Sequence, residues 1–412
     1  MLTRKENELL SRVGLGQPMG QLLREQWLPA WRAQSLEAGG APRRIRLLGE
    51  NFITFRAADG RVGFFDEGCP HRLTSLALAR NEANVLTCIF HGWKIDVSGK
   101  VVDVPSEPPE RRSEFAAKVR VRHYPVQELG GIIWVYLGKR AQPPRFHNFE
   151  FTHLPPEQLY PRRFVVDCNW LQGLEGVLDS SHVGILHSAH LGRMQHTANL
   201  AGKNTAPIFE VVAKPYGLRE GALRELGDGT TYTSIREVVL PWYSFIPNNP
   251  PMPKLMICAI PLDDYSHALW QLWYEPDHAV NWAEADRISG GHSGDLDDAC
   301  FDLGDRSNLW HQDRQAMKEG HFSGIKRFSY EDYVVQESMG PIVDRTREYL
   351  GSSDSIIIRV RRMLLAALRD FQQGNAVFGQ DQHLDYSRIR GLGIRHPTTQ
   401  DWRDIDPMAA PA

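Results

Sequence analysis

The chain has 412 residues, more than one hydrophobic core usually supports, so two domains are expected. Its formal net charge is -3, with no block of like charges, which argues against nucleic acid or an anionic membrane surface as the main partner. The charged N-terminus is unlike a secretory signal, and no apolar run approaches the roughly 18 residues of a membrane span, so a cytoplasmic protein without a membrane partner is expected. Cys69, Cys88, Cys168, Cys258 and Cys300 are odd in number and scattered, which does not suit a disulfide framework. In a reducing compartment clustered Cys and His read instead as metal ligands.

Thr3 and Glu6 have capping-box spacing and open a short helix through Glu8, Leu9 and Leu10. A second short helix is expected over Met19 to Gln26, and both read as a leader packed on the next domain. From Arg44 to about Gly138 short β-type runs (Ile45–Leu48, Phe52–Phe55, Val62–Phe65, Gly131–Tyr136) and turns at Asp59-Gly60 and Ser98-Gly99 predict a small all-β domain. Proline pairs in Gln142–Arg145 and Leu154–Glu157 mark a connection, so domains of residues 1–155 and 156–412 are expected. The second opens with a strand, Arg163–Val166, and a helical stretch, Asn169–His187. Strands at Ile208–Ala213, Tyr232–Leu240, Leu255–Pro261 and Ala268–Glu275 suit an antiparallel sheet. A Gly/Asp/Ser-rich loop at Ser289–Asp298 precedes helices at about Tyr330–Leu350 and Ser355–Phe371. Apolar positions 356, 357, 360, 363, 364, 367 and 368 give the last helix an amphipathic face, most simply for core packing. No internal repeat, nucleotide-binding glycine fingerprint or nucleophile elbow is present.

Two constellations carry chemistry. In the β domain Cys69-Pro70-His71-Arg72 is followed after a short gap by Cys88-Ile89-Phe90-His91-Gly92-Trp93. The ligand set alone permits a structural Cys2His2 zinc site. The order, one Cys and one His in each of two turns, closely resembles a Rieske [2Fe-2S] site, in which two Cys hold one iron and two His the other. The additional cysteines of respiratory Rieske proteins are replaced by Thr74 and Phe90, and a free-standing Rieske ferredoxin would end near residue 140. The large second domain is therefore expected to hold the chemistry that the cluster feeds.

In that domain Asp179, His182 and His187 have the composition of a two-histidine, one-carboxylate site for oxygen-activating Fe(II). Residues five apart on a regular helix diverge by about 140°, so His182 and His187 share a metal only if the helix breaks between them, and Gly184 tolerates a break. Asp179 and His182 share a face, so Asp179 either binds the metal or holds the second ring nitrogen of a histidine.

Together with Asn169-Trp170, Glu175, Asp179, His182 and His187, the cluster motif resembles the Rieske non-haem iron aromatic-ring-hydroxylating oxygenases, large (α) subunit. Leu2–Asn7, Gly16–Gly20 and Gln336–Asp354 are similar to the phthalate 4,5-dioxygenase branch, so the likeness covers nearly the whole chain. One departure is local: Leu73-Thr74 stands where the family often has Gly-Ala.

The resemblance implies an α+β architecture, an all-β Rieske domain followed by a helix-grip, START-like catalytic domain with an antiparallel sheet. It makes Cys69, His71, Cys88 and His91 the cluster ligands and His182, His187 and Asp332 the ligands of a mononuclear non-haem Fe(II), with Glu331 competing for the third place. Asp179 becomes the electron bridge between His182 and His71 or His91 of a neighbouring subunit, which implies a homotrimer or stacked trimers. The expected partner is an NADH-dependent reductase carrying flavin and a [2Fe-2S] centre, and the expected substrates are O2 and an aromatic carboxylate of phthalate or phenoxybenzoate type, cis-dihydroxylated in aromatic catabolism. Monooxygenation or O-demethylation of a methoxylated aromatic acid uses the same residues. An electron-transfer protein with a non-catalytic second domain is the alternative of a different class. A substrate carboxylate calls for arginine, and Arg219, Arg224 and Arg236 are the candidates, with Trp242, Phe245 and Ile246 as a possible aromatic slot.

Overall fold

A computed structural model describes residues 1–191, 204–248, 252–283, 285, 304–375 and 383–408. The expected loop at Ser289–Asp298 and Cys300 lie outside the described residues. The chain forms two compact units, Val13–Pro144 and a larger one made of Met1–Arg12 with Arg145–Ala412. The contact boundary thus falls at Pro144 rather than residue 155, and the first helix groups with the larger unit.

Helix α1 (Arg4–Ser11) is capped as expected: the Thr3 hydroxyl accepts the Glu6 N–H at 3.2 Å and Glu6 Oε2 accepts the Thr3 N–H at 2.8 Å. It joins the larger unit because Asn7 donates to the Val343 carbonyl and the Leu10 carbonyl accepts from the Trp170 indole.

In the smaller unit α2 (Pro18–Arg24) precedes β1 (Trp27–Arg32), β2 (Arg43–Leu47), β3 (Glu50–Arg56) and β4 (Val62–Asp66). Short strands β5 (Arg80–Glu82), β6 (Val85–Thr87), β7 (Lys94–Asp96) and β8 (Val101–Asp103) follow, then helix α3 (Pro109–Lys118), β9 (Val126–Leu129) and β10 (Ile132–Tyr136). They pair antiparallel as β1-β10-β9, β2-β3-β4 and β5-β6-β7-β8 around Phe55, Phe65, Leu86 and Trp93.

The larger unit is α+β, as expected. Among the described residues its eight antiparallel strands are β11 (Leu159–Val166), β12 (Ile208–Lys214), β13 (Gly217–Glu225), β14 (Thr230–Val239), β15 (Tyr243–Ile246), β16 (Lys254–Pro261), β17 (His267–Tyr274) and β18 (Leu392–Pro397). Their order is β11-β17-β16-β15-β14-β13-β12, with β18 paired to β14. Strand β13 escaped the pattern because Gly217, Gly221 and its charged residues mask the alternation, and β18 is supplied from far downstream.

Helix α4 (Trp170–Leu178) lies on the sheet against β16 and β17. Two glycines permit this approach: a Cβ at Gly173 would run into the buried His267 ring, and one at Gly176 into the Gln336 side chain. Short helices α5 (Val183–Leu186), α6 (Ser188–Leu191) and α7 (Arg314–Lys318) are followed by α8 (Phe328–Ser338) and α9 (Ser355–Gln372). The helix expected over Tyr330–Leu350 stops at Ser338 because Gly340 adopts φ +93° and Pro341 follows. Helix α9 buries Ile356, Ile357, Val360, Leu364 and Leu368, the expected face, while Arg361 on that face meets Glu175 and Glu348. No helix among the described residues is long and apolar enough to cross a membrane.

Candidate metal centres

In the smaller unit two tight turns present the Cys/His pairs. In the first, Cys69 N–H donates to the Thr74 carbonyl (2.8 Å) and its carbonyl accepts the Leu73 N–H (2.9 Å). The second repeats the pattern, Cys88 N–H to Trp93 O and Gly92 N–H to Cys88 O, both 2.9 Å. The fourth residue after each Cys turns through positive φ, Gly92 at +74° and Leu73 at +61°. Leu73 therefore holds a left-handed conformation that glycine adopts at lower cost, with its side chain 80% exposed.

Both thiols are buried and adjacent; burial and the Cys88 thiol push the Cys69 thiol up to about 11, while the His71 and Arg72 backbone N–H groups pull it down. His71 Nδ1 and His91 Nδ1 stand 3.1 Å apart. Two nitrogens each about 2.1 Å from one metal at a right angle have this spacing. His71 stacks on Trp93 at 4.7 Å, and the indole is tethered to Ser106. A buried two-sulfur side and a half-exposed two-nitrogen side fit a Rieske cluster.

In the larger unit Asn169 caps α4 by accepting the Leu171 N–H and donates to the Ser11 and Asp264 carbonyls. Glu175 is held by bonds from Arg345 and Arg361, a role its place in the motif did not disclose. The helix ends at Asp179, whose backbone turns extended. The break that lets the histidines converge is not at Gly184: α5 and α6 are separate single turns meeting at His187.

Three ligand atoms converge here. His182 Nε2 lies 3.3 Å and His187 Nε2 3.2 Å from the same Asp332 oxygen. Behind them, Asp179 Oδ2 faces His182 Nδ1 at 3.5 Å and Glu331 Oε2 faces His187 Nδ1 at 2.6 Å. Asp179 is thus on the far side of the ring from the converging atoms, and so is Glu331, the competitor of Asp332. Glu331 is fully buried and also accepts from Ser323 Oγ. Its contact with His187 was not visible in the sequence, where it reads only as the neighbour of Asp332.

The charges match this geometry. Burial pushes Asp179 up, but bonds from His182 and Ser181 outweigh it and hold it at about 2. Burial pushes His182 down, yet Asp179 and Asp332 raise it to about 9. Burial likewise opposes ionisation of Asp332, and both histidines draw it well below the usual carboxylate range. A buried site so attractive to positive charge, with lone pairs on three converging atoms, fits a divalent cation.

Beside it opens a pocket lined by Val177, Leu255, Ile257, Leu269 and Trp273, reached by His182, His187 and Asp332. Strand alternation sorts the arginines. Arg224 and Arg236 point into the pocket, whereas Arg219 faces the opposite side, ion-paired to Glu237 and bonded to the Arg403 and Ile405 carbonyls, which removes it as a pocket residue. Arg236 is spent on Ser180, Ser244, the Val177 carbonyl and Glu220 at 3.6 Å, and burial lifts that Glu220 carboxyl to about 7. The Arg224 guanidinium donates to the Asn204 and Ala222 carbonyls, and no carboxylate pairs with it among the described residues. Of the expected slot only Ile246 lines the pocket; Trp242 and Phe245 are core residues, Phe245 packing on Phe149.

Comparison with known proteins agrees with this anatomy. A Rieske [2Fe-2S] domain family matches residues 26–125, and a family described as LigXa C-terminal domain like matches residues 135–410. The chain is 37% identical to the phthalate 4,5-dioxygenase oxygenase subunit of Pseudomonas putida, over 98% of this chain and 94% of that one. It is 35% identical to the 3-chlorobenzoate-3,4-dioxygenase oxygenase subunit of Comamonas testosteroni, over 98% and 97%. Among solved structures, the Pseudomonas putida CBB5 NdmA QL mutant with caffeine shares the fold at TM-score 0.59 and 18% identity, over 87% of this chain and 94% of that one.

Proposed function

Because the chain belongs to the Rieske non-haem iron ring-hydroxylating oxygenases, in the phthalate 4,5-dioxygenase-like branch, we propose that it is a terminal oxygenase acting on an aromatic carboxylate, by cis-dihydroxylation. It is an oxidoreductase, with a Rieske [2Fe-2S] cluster and a mononuclear non-haem iron. When bound, the cluster supplies electrons one at a time and the iron supplies oxygen activation.

The residues do the rest. Cys69, His71, Cys88 and His91 hold the cluster. His182, His187 and Asp332 would hold the iron, and the pocket opens beside these three residues. Glu331 accepts from His187 Nδ1 and Asp179 faces His182 Nδ1 at 3.5 Å, which leaves each Nε2 turned toward Asp332, where it would bind the metal. Phe328, stacked on His187 at 4.0 Å, and the apolar wall exclude water. Arg224 receives the substrate carboxylate, since Arg236 is already taken up by Ser180, Ser244 and the Val177 carbonyl.

Asp179 also links His182 to a cluster histidine of a neighbouring subunit within a trimer. Electrons come from a separate protein, an NADH-linked flavin and [2Fe-2S] reductase. The convergence of His182, His187 and Asp332 beside an apolar pocket containing Arg224 carries this reading. Product analysis under 18O2 over phthalates, chlorobenzoates, phenoxybenzoates and methoxybenzoates tests it. Two labelled oxygens in a cis-diol support it; an unlabelled phenol with release of formaldehyde, which carries off the oxygen from O2, would identify a demethylase, and no oxidised product from any acid would refute an aromatic-acid oxygenase.

A further inference from the structure

Behind the iron ligands, α6, the loop after α7 and α8 bring together His190, His321 and Glu331, whose ligand atoms all lie within 4.8 Å of one another. We propose that they form a second metal site, for a borderline divalent cation such as Zn2+, sharing Glu331 with the iron ligand His187.

The geometry of each donor supports coordination. His190 Nε2 is buried and has no hydrogen-bond partner among the described residues. That nitrogen faces Glu331 Oε2 at 3.7 Å. Donors about 2.1 Å from a tetrahedral metal are separated by about 3.4 Å, so the pair is already near coordinating distance but too far apart to hydrogen-bond. Glu331 is oriented by Ser323 Oγ on one oxygen and by His187 Nδ1 on the other, and an oxygen accepting one hydrogen bond keeps a lone pair for a metal. His321 completes the set, its ring edge-on to His190 at 5.3 Å. Its Nδ1 accepts the Gly324 N–H at 3.1 Å, so its proton now sits on Nε2. Loading through Nε2 moves that proton to Nδ1 and releases the Gly324 amide, one neutral hydrogen bond exchanged for a metal–ligand bond. Two nitrogens and one oxygen are the ligand choice of open zinc sites.

The test is metal content of the anaerobically purified holoenzyme after dialysis against Zn2+ and then against metal-free buffer. One zinc per chain beside three irons is expected, and His321→Ala and His190→Ala should each return zinc to background with cluster absorbance and iron unchanged. Zinc at background in the unsubstituted protein, or retained by both variants, overturns the proposal. So does zinc gained only with equal loss of iron, because it would then occupy His182, His187 and Asp332. Iron content reports on the proposed oxygenase and zinc content on this site, so each can fail alone.

Discussion

At the proposed mononuclear centre each histidine faces a carboxylate with one ring nitrogen and turns the other toward Asp332, and this division of labour separates the two aspartates experimentally. Asp332→Ala removes a donor and should leave a reducible cluster with two irons per chain in place of three. Asp179→Asn should keep iron content and cluster absorption while coupled turnover falls at least roughly 100-fold, a loss at the upper end for carboxylates behind ligating histidines. Loss of the iron from Asp179→Asn would make Asp179 a ligand. In the pocket, Arg224→Leu should raise KM for aromatic acids by ~10- to 100-fold, the worth of one hydrogen bond to a charged group, with Arg219→Leu leaving KM unchanged. Leu73→Gly should stabilise the smaller unit by about 1 kcal/mol in denaturant unfolding, relieving the left-handed leucine. The converging histidines were readable from their spacing in one segment, whereas Asp332, far downstream, was legible only through the family resemblance. The arginines were not, although strand parity already set Arg219 and Arg224 on opposite faces; the strand carrying them, β13, was unrecognised.

The helix α4 sets the height of the site above the sheet, and His267 beneath Gly173 is its seat. Burial holds this histidine down at about 4, against 6.5 when exposed, and its Nδ1–H donates to the Cys168 carbonyl at 2.8 Å. A depressed histidine is stable when neutral, so its contribution is whole above pH 6.5 and declines as pH falls toward 4. At ~1.4 kcal/mol per pH unit this amounts to up to about 3 kcal/mol. The larger unit should therefore unfold at progressively lower denaturant concentration from pH 7 to pH 4.5, and His267→Gln should flatten that dependence; an equal slope in both proteins would mean that His267 does not set it. At this scale helices with caps or an amphipathic face were visible in the sequence. Long-range pairings such as β18 on β14 were not, because nothing local encodes a partner so distant in the chain.

As a whole the molecule separates electron delivery and oxygen chemistry into two compact units, one carrying the Cys/His cluster motif and the other the two-histidine, one-aspartate site. The Cys/His motif and the histidine pair were evident from motif spacing and Asp332 only from the family resemblance, whereas the boundary at Pro144 was not, since Arg145–Leu154 lacks regular pattern yet packs as part of the larger unit. We propose that the iron of one subunit is served by the cluster of its neighbour across Asp179. Co-expression of Asp332→Ala, which keeps only the cluster, with Cys69→Ser, which keeps only the mononuclear iron, tests it most directly. Each variant alone should be inactive, and mixed trimers should recover measurable turnover of the aromatic acid with NADH and reductase. Mixed trimers with full metal occupancy and no activity above the separate variants would contradict the claim.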